Sequence, residues 1–276
     1  MLIDYTLMVV GSGALVLGSV SGALGCFALL RKQSLLGDAI SHAALPGLCI
    51  AFLLTWTKSP WVLALGALLA GWLGVLVVSG LRRFTPLKDD AALGFILSVF
   101  FGLGMVLMSI IQRLPTAHHS GLGTYLFGSA ATMLRSDVVM MAVLGSIVIG
   151  ILLLFWQQFK VFTFDPAFAR SLGLKTFVLE MMLTGMIVVA IVIGLQSVGV
   201  VLMSALLVAP AAAARQWTHR LGYMVCLAAG IGAFSAFSGA WISSLVPRLP
   251  TGPVIVLVLS AVVLISLLWQ IQKGRV

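Results

Sequence analysis

Asp38 and His42 lie four residues apart in a long apolar stretch of the chain. Side chains at this spacing project from one face of an α-helix, one turn apart. A carboxylate and an imidazole are costly in a bilayer, where such groups usually face a polar interior or the path of a substrate. Together they also offer the oxygen and nitrogen donors that bind divalent metal ions. The pair therefore predicts a metal site inside a membrane helix.

Three neighbours of the pair bear on the same chemistry. Ser41 adds an oxygen donor, which we treat as a weak candidate ligand. Pro46 followed by Gly47 can open the helix and free backbone carbonyl groups, so we expect a helix break or gate there. Two side chains do not complete a coordination sphere, so water, backbone, other helices or a second copy must supply the rest. The alternative interpretation is a structural hydrogen-bonded pair between helices.

The composition predicts a membrane protein. Of the 276 residues, 61% are hydrophobic and only 8% are charged, whereas about 25% of residues are charged in a soluble domain. The net charge is +9, but the basic residues cluster at the ends of apolar segments, where they set topology. We therefore expect no nucleic-acid partner. The expected fold is all-α and polytopic, with one transmembrane domain over residues 1–276.

Apolar segments that are long enough to cross a bilayer follow one another along the chain. A crossing helix needs about 20 apolar residues. The segments are 7–30, 34–56, 61–81, 91–111, 136–156, 177–197, 199–215, 222–245 and 253–271. The sixth and seventh are so close that they form either one bent helix or a helix and a re-entrant half-helix. We therefore expect eight or nine membrane helices.

The distribution of basic residues sets the expected orientation. The side richer in Lys and Arg should be cytoplasmic, which places the N-terminus outside and the C-terminus inside. An even number of crossings would contradict this orientation. Because segment 34–56 starts directly after Arg31 and Lys32, His42 should lie about 15 Å inward, near the midplane.

A short amphipathic helix is predicted in the cytoplasmic loop of residues 160–176. Asp165 followed by proline is a helix start signal, and Gly173 is a plausible end. Apolar residues recur in this stretch at a spacing of four: Phe164, Phe168 and Leu172. The apolar face needs a partner, which is either the membrane surface or a groove in another protein.

Other residues carry weaker signals. His118 and His119 lie in an outer loop, where they either share one ion or are simply solvated. Glu180 lies about one turn inside its segment and is a candidate for the inner vestibule. Pro210 is a helix breaker that indicates either close packing or a movable kink in a pathway wall. Gly18 and Gly22 form a GxxxG pair, which we interpret as packing within the chain rather than as a dimer face.

Four motifs, in this order, resemble the permease family of ABC-type importers of manganese, zinc or iron. They are SLLGDAISHAALPG at 34–47, YLFG at 125–128, FDPAFARSLG at 164–173 and VGVVLMSALLVAPAA at 198–212. The first and third motifs are specific, and the other two are individually modest. Because the motifs span most of the chain, the resemblance extends to the whole permease.

The resemblance implies a permease subunit of an importer, whose cargo is a divalent manganese, zinc or iron ion. It implies that Asp38 and His42 coordinate this ion. It also implies that the third motif is the coupling helix that docks into the ATPase subunit. The residues that take this role are Phe164, Asp165, Phe168, Ala169, Arg170 and Gly173. Family members often carry an acidic residue where this chain has Ala167.

The resemblance also implies partners and a location. The partners are cytoplasmic ATP-binding subunits, an external metal-binding protein, membrane lipid, and a second permease that is either identical or related. The location is the bacterial inner membrane. The sequence contains no GxxxxGK[ST] motif, so we expect ATP hydrolysis on a partner chain. We expect this chain to be no enzyme and to hold no permanent cofactor.

Three other functions remain open at this stage. An Asp–His pair can relay protons in an ion-coupled secondary metal carrier, although no convincing inverted repeat is visible. A permease for a chelated metal, of the siderophore or cobalamin type, would have a wider path and rely less on direct ligands. A membrane scaffold for the ATPase would use the polar pair only structurally. The donor set does not rank the three metals, because mixed N and O ligands suit all of them.

Overall fold

The computed structural model describes residues 2–57, 59–113, 133–245 and 249–272. Within these ranges the chain forms eleven α-helices and no β-strand, which confirms the all-α prediction. The helices are α1 (Leu2–Leu30), α2 (Leu36–Thr55), α3 (Pro60–Phe84), α4 (Asp89–Arg113), α5 (Arg135–Leu154), α6 (Trp156–Phe164), α7 (Pro166–Ser171), α8 (Thr176–Val198), α9 (Val200–Trp217), α10 (Leu221–Leu245) and α11 (Thr251–Gln272).

Eight helices in the described ranges are long and apolar enough to cross a membrane, in agreement with the expected eight or nine. They are α1 to α5, α8, α10 and α11. The 18-residue α9 covers the seventh predicted segment but is not among them. Gly199, with a φ of +87°, separates α8 from α9 and lies in the left-handed region that glycine adopts readily.

The helices form two compact units. The first unit comprises Met1–Ser34, Ala130–Ala190 and Ala205–Val276, and the second comprises Leu35–Ser129 and Ile191–Ser204. The first therefore contains α1, α5 to α7, α10 and α11, and the second contains α2 to α4. Helices α8 and α9 contribute to both. The single permease domain over residues 1–276 stays a prediction.

In the first unit, α1 and α10 touch through their backbones. A Cβ atom at Gly18 would lie 2.3 Å from the carbonyl oxygen of Gly232, and one at Gly22 would lie 2.4 Å from that of Ala228. Small residues permit such an approach, which larger side chains would prevent. The GxxxG pair thus packs within the chain, as expected from the sequence.

In the second unit, α2 packs against α3 and α4. A Cβ at Gly47 would lie 2.1 Å from the carbonyl oxygen of Gly66, so this glycine serves the contact between α2 and α3. Helix α2 runs without interruption through Pro46, and α9 does so through Pro210. The predicted helix breaks are therefore not present in this structure, and the gate roles of these residues stay predictions.

Candidate functional site

A tight turn sets where the Asp38–His42 helix begins. Lys32 adopts a left-handed φ of 58°. Its N–H donates to the carbonyl of Leu29, and that of Gln33 donates to Ala28, the Schellman pattern that ends α1. The chain turns at residues 31–35, and α2 starts at Leu36. His42 is thus about 9 Å along the helix from its first residue, and the expected depth of 15 Å, which counted the turn as helix, stays a prediction.

Asp38 lies in the first turn of α2. The N-terminal end of a helix carries a partial positive charge, which stabilises a carboxylate there. The Asp38 side chain is 38% exposed in the described chain. This placement lowers the cost of a charged group at the edge of an apolar helix and leaves part of the carboxylate exposed.

His42 lies one turn further along the same face. Its Nε2 is 3.5 Å from Oδ1 of Asp38, and its side chain is 21% exposed. The ring stands edge-on against Phe101 of α4, with 4.6 Å between the ring centres. Nδ1 is buried and makes no hydrogen bond within the described residues. The imidazole is therefore oriented by packing and by the carboxylate.

The distance between the two groups suits metal binding. An N–H···O hydrogen bond is usually about 2.7–3.2 Å long, which is shorter than the 3.5 Å between His42 Nε2 and Asp38 Oδ1. Two ligand atoms that are each about 2.1 Å from a tetrahedral ion lie about 3.4 Å apart. The two side chains can thus chelate one ion with little movement.

Pro46 and Ser41 are the two other residues of α2 that were expected to contribute near the pair. Pro46 has no N–H to donate to the carbonyl oxygen of His42, four residues earlier. Ser41, in contrast, is buried and its hydroxyl donates to the carbonyl of Gly37 at 2.7 Å. This geometry does not support a role for Ser41 as a ligand, which stays a weak prediction.

The pair is an incomplete site by itself. Within the described ranges, no group of three or more His, Cys, Asp or Glu side chains is arranged to hold a metal ion. A cargo ion at Asp38 and His42 would need water, backbone or another chain to complete its coordination. His118, His119 and the YLFG motif at 125–128 lie outside the described residues.

Glu180 is engaged in an ion pair with Arg31. The two side chains are 3.0 Å apart and are only 22% and 12% exposed. The guanidinium of Arg31 also lies over the Phe162 ring of α6, 4.5 Å from its centre. Sequence reasoning treated Glu180 as a vestibule residue and missed its partner, which lies 149 residues away. The available signal was that both charges fall at the same predicted membrane boundary.

The short helix α7 begins and ends as predicted. Asp165 caps it, because its Oδ1 accepts the backbone N–H groups of Ala167 and Phe168 at 3.0 and 2.9 Å. Gly173 follows the last turn with a φ of +77°, and the N–H of Leu174 closes the motif on the carbonyl of Ala169.

One face of the α6–α7 segment is anchored and another is free. Phe159 and Phe162 of α6 are buried, and the Phe159 ring is 6.4 Å from that of Phe27 in α1. Ala169 is also fully buried, and among the described residues the Arg170 side chain donates only to the carbonyl of Pro166. The predicted apolar stripe is about half exposed: Phe164 55%, Phe168 52% and Leu172 56%.

Long apolar helices, an acid–imidazole pair at the start of one of them and a short helix with an exposed apolar stripe define a polytopic membrane permease. The family follows from the sequence match. Residues 4–270 match the model of the ABC 3 transport family, so the chain belongs to that family.

Curated relatives and a solved structure agree with this assignment. The "Zinc transport system membrane protein TroC" of Treponema pallidum is 50% identical over 98% of this chain and 91% of its own length. The "Manganese transport system membrane protein MntC" of Bacillus subtilis is 43% identical over 95% of this chain, which spans 60% of that relative's length. The structure of "PsaBC from Streptococcus pneumoniae in complex with Fab" is 30% identical, with a TM-score of 0.82 over 95% of this chain and 90% of that chain.

Proposed function

We propose that this chain is the membrane permease of an importer that moves a divalent transition-metal ion into the cytoplasm. The observation that carries this proposal is the pair formed by Asp38 and His42, whose facing atoms are 3.5 Å apart. Manganese and zinc are the proposed cargoes, because the relatives named for transport carry those two metals in their names. Iron, which the sequence resemblance also implies, remains a prediction.

In this proposal, the pair holds the ion only in transit. Two side chains bind an ion loosely, and a transported ion must bind weakly enough to leave. The missing ligands come from water or from a second permease, either identical or related. An external binding protein supplies the ion at the outer face of the inner membrane.

The energy for transport comes from a separate subunit. We assign ATP hydrolysis to a cytoplasmic partner that docks on α7. An exposed apolar stripe on a helix suits insertion into a groove of another protein. Because Phe159 and Phe162 anchor α6 in the first unit, a displacement of α7 is passed to the packed helices.

Uptake of radioactive manganese and zinc by the assembled transporter tests the proposed ligands. We expect Asp38→Asn and His42→Gln each to lower uptake at least about tenfold, since even indirect changes at metal sites cost that much. Two matched controls should transport normally. They are Asp137→Asn, in the first turn of α5, and His219→Gln, an exposed histidine.

Two other results would replace the proposal. Normal uptake by both ligand variants would exclude direct coordination and favour a permease for a chelated metal. Uptake by the purified chain in liposomes, driven by a proton gradient without the ATPase, would favour a secondary carrier.

Co-purification with the ATPase subunit tests the docking helix. We expect Phe168→Ser to lose the ATPase, because it removes the middle of the apolar stripe. Phe84→Ser is the matched control, since Phe84 is 83% exposed at the end of α3. Equal retention of the ATPase by both variants would contradict docking on α7.

A further inference from the structure

An open groove of about 740 Å³ lies in the first unit, where α5 passes into α6 and α10 begins. The groove is lined by Leu153, Leu154, Trp156, Gln157, Arg220, Gly222, Tyr223, Val225 and Cys226. None of these residues belongs to the proposed cargo site or to α7. The groove therefore needs an explanation of its own.

The groove lies where two candidate membrane spans end. Leu154 is the last residue of one candidate span, and Leu221, next to the groove, is the first of another. In a bilayer, one end of the groove would thus face hydrocarbon and the other end would lie among the headgroups. Trp156 and Tyr223, which is 63% exposed, are the residue types that occupy this interface.

The polar end of the groove has one positive charge. Its lining contains Arg220 and no carboxylate. Within the described part of the chain, the side chains of Arg220, Gln157 and Tyr223 make neither a hydrogen bond nor an ion pair. A cation and two hydrogen-bonding groups therefore surround the mouth of an apolar slot and are available to a ligand.

We propose that this groove binds one anionic phospholipid of the surrounding bilayer. The planar guanidinium of Arg220 matches the geometry of a phosphate group, and Gln157 and Tyr223 can donate to the remaining headgroup oxygens. The acyl chains lie along Leu154 and Val225. A lipid with this placement joins the end of α5, the first turn of α6 and the start of α10.

Binding of phosphatidylglycerol and phosphatidylcholine to the purified, delipidated full-length chain tests the proposal. Native mass spectrometry gives occupancy and affinity for each lipid. We expect phosphatidylglycerol to bind saturably and more tightly than phosphatidylcholine, and Arg220→Gln to weaken its binding about fivefold. Arg83→Gln, an exposed arginine of α3 outside the groove, should leave the affinity unchanged.

A second pair of variants tests the groove itself without changing charge. Gly222→Leu should fill the slot, because the nearest atom to an added Cβ is Cζ2 of Trp156 at 3.9 Å. Gly230→Leu on the same helix is the control, since an added Cβ there meets nothing within 4 Å. We expect only Gly222→Leu to lose the bound lipid.

Three results would overturn the proposal. They are equal affinity of the native chain for both lipids, equal effects of Arg220→Gln and Arg83→Gln, and undiminished phosphatidylglycerol binding by Gly222→Leu. Each of them is independent of the metal, because the readout is lipid binding.

Discussion

The guanidinium of Arg31 lies 3.0 Å from the carboxylate of Glu180, in a place where both side chains are largely shielded. Arg31 follows the last residue of α1, and Glu180 lies in the second turn of α8. Since Arg31 also covers the Phe162 ring of α6, three elements meet at one side chain. The contact ties the segment that leads to α7 to the packed helices.

Loss of the Arg31–Glu180 pair should destabilise the first unit. We expect Glu180→Gln to lower the free energy of unfolding by about 1–2 kcal/mol, the lower range for a hydrogen bond to a charged group that is not fully buried. Arg31→Gln should cost at least as much. Thermal unfolding of the purified chain in detergent measures both.

A double-mutant cycle separates this structural role from a role in the ion path. If the two residues stabilise the chain through their mutual contact, the double variant should lose about as much free energy of unfolding as the more destabilised single variant. The preference of the transporter for manganese or zinc should not change. Additive losses in the free energy of unfolding, or a changed metal preference in Glu180→Gln alone, would instead support a role for Glu180 in the ion path.

Removal of the cap on α7 should weaken coupling more than it weakens the fold. Asp165→Ala leaves two backbone N–H groups without their acceptor and should cost the helix about 1 kcal/mol. We expect lower transport-coupled ATPase activity in the assembled complex, with Asp165→Asn retaining most of it because Asn also caps helices. Equal activity of the alanine variant and the native chain would show that the cap is dispensable.

The backbone contact between α1 and α10 should tolerate no side chain. A Cβ at Gly232 would lie 2.2 Å from the carbonyl oxygen of Gly18, so Gly232→Ala should destabilise the chain by about 1–3 kcal/mol. Gly230→Ala is the control on the same helix, because an added Cβ there meets nothing within 4 Å. It should be neutral or stabilising, since alanine favours helix. Equal melting temperatures for the two variants would contradict the close approach.

Helix α9 should cross the membrane although it is short. The groove between α5 and α10 brings the end of one candidate span and the start of another to the same boundary. Candidate span Thr176–Leu195 lies between them in sequence. After it crosses, α9 must cross as well to bring the chain back to the side where α10 starts. Nine crossings agree with the predicted outside N-terminus and inside C-terminus.

Cysteine labelling from outside the cell measures this topology. In a background with Cys226→Ser, we expect Thr57→Cys to react with an impermeant reagent and Thr218→Cys to react only after permeabilisation. Labelling of both positions in intact cells would mean that α9 does not cross.

Local signals in the sequence were sufficient for the elements that depend on neighbouring residues. Asp165, the proline that follows it and Gly173 defined the start and end of α7, because caps and left-handed glycines act over one turn. The spacing of Gly18 and Gly22 similarly predicted close helix packing. The spacing of Asp38 and His42 placed both side chains on one face, as the structure has them.

Features that depend on distant residues or on an unusual conformation were not predictable. The partner of Glu180 is 149 residues away, and no periodicity reports such a pair. Lys32 adopts a left-handed conformation that usually belongs to glycine, so the turn before α2 was taken for helix. Pro46 and Gly47 suggested a helix break. In the structure the helix is uninterrupted, and Gly47 serves the contact with α3 instead.

The contact between Gly18 and Gly232 has a mechanical consequence. Side chains between two helices form a compliant layer, since changes of rotamer absorb small displacements. Where two backbones touch, that layer is missing, so α1 and α10 should move together as one rigid pair of helices. A displacement of α1 at the end next to Arg31 should therefore move α10 by the same amount.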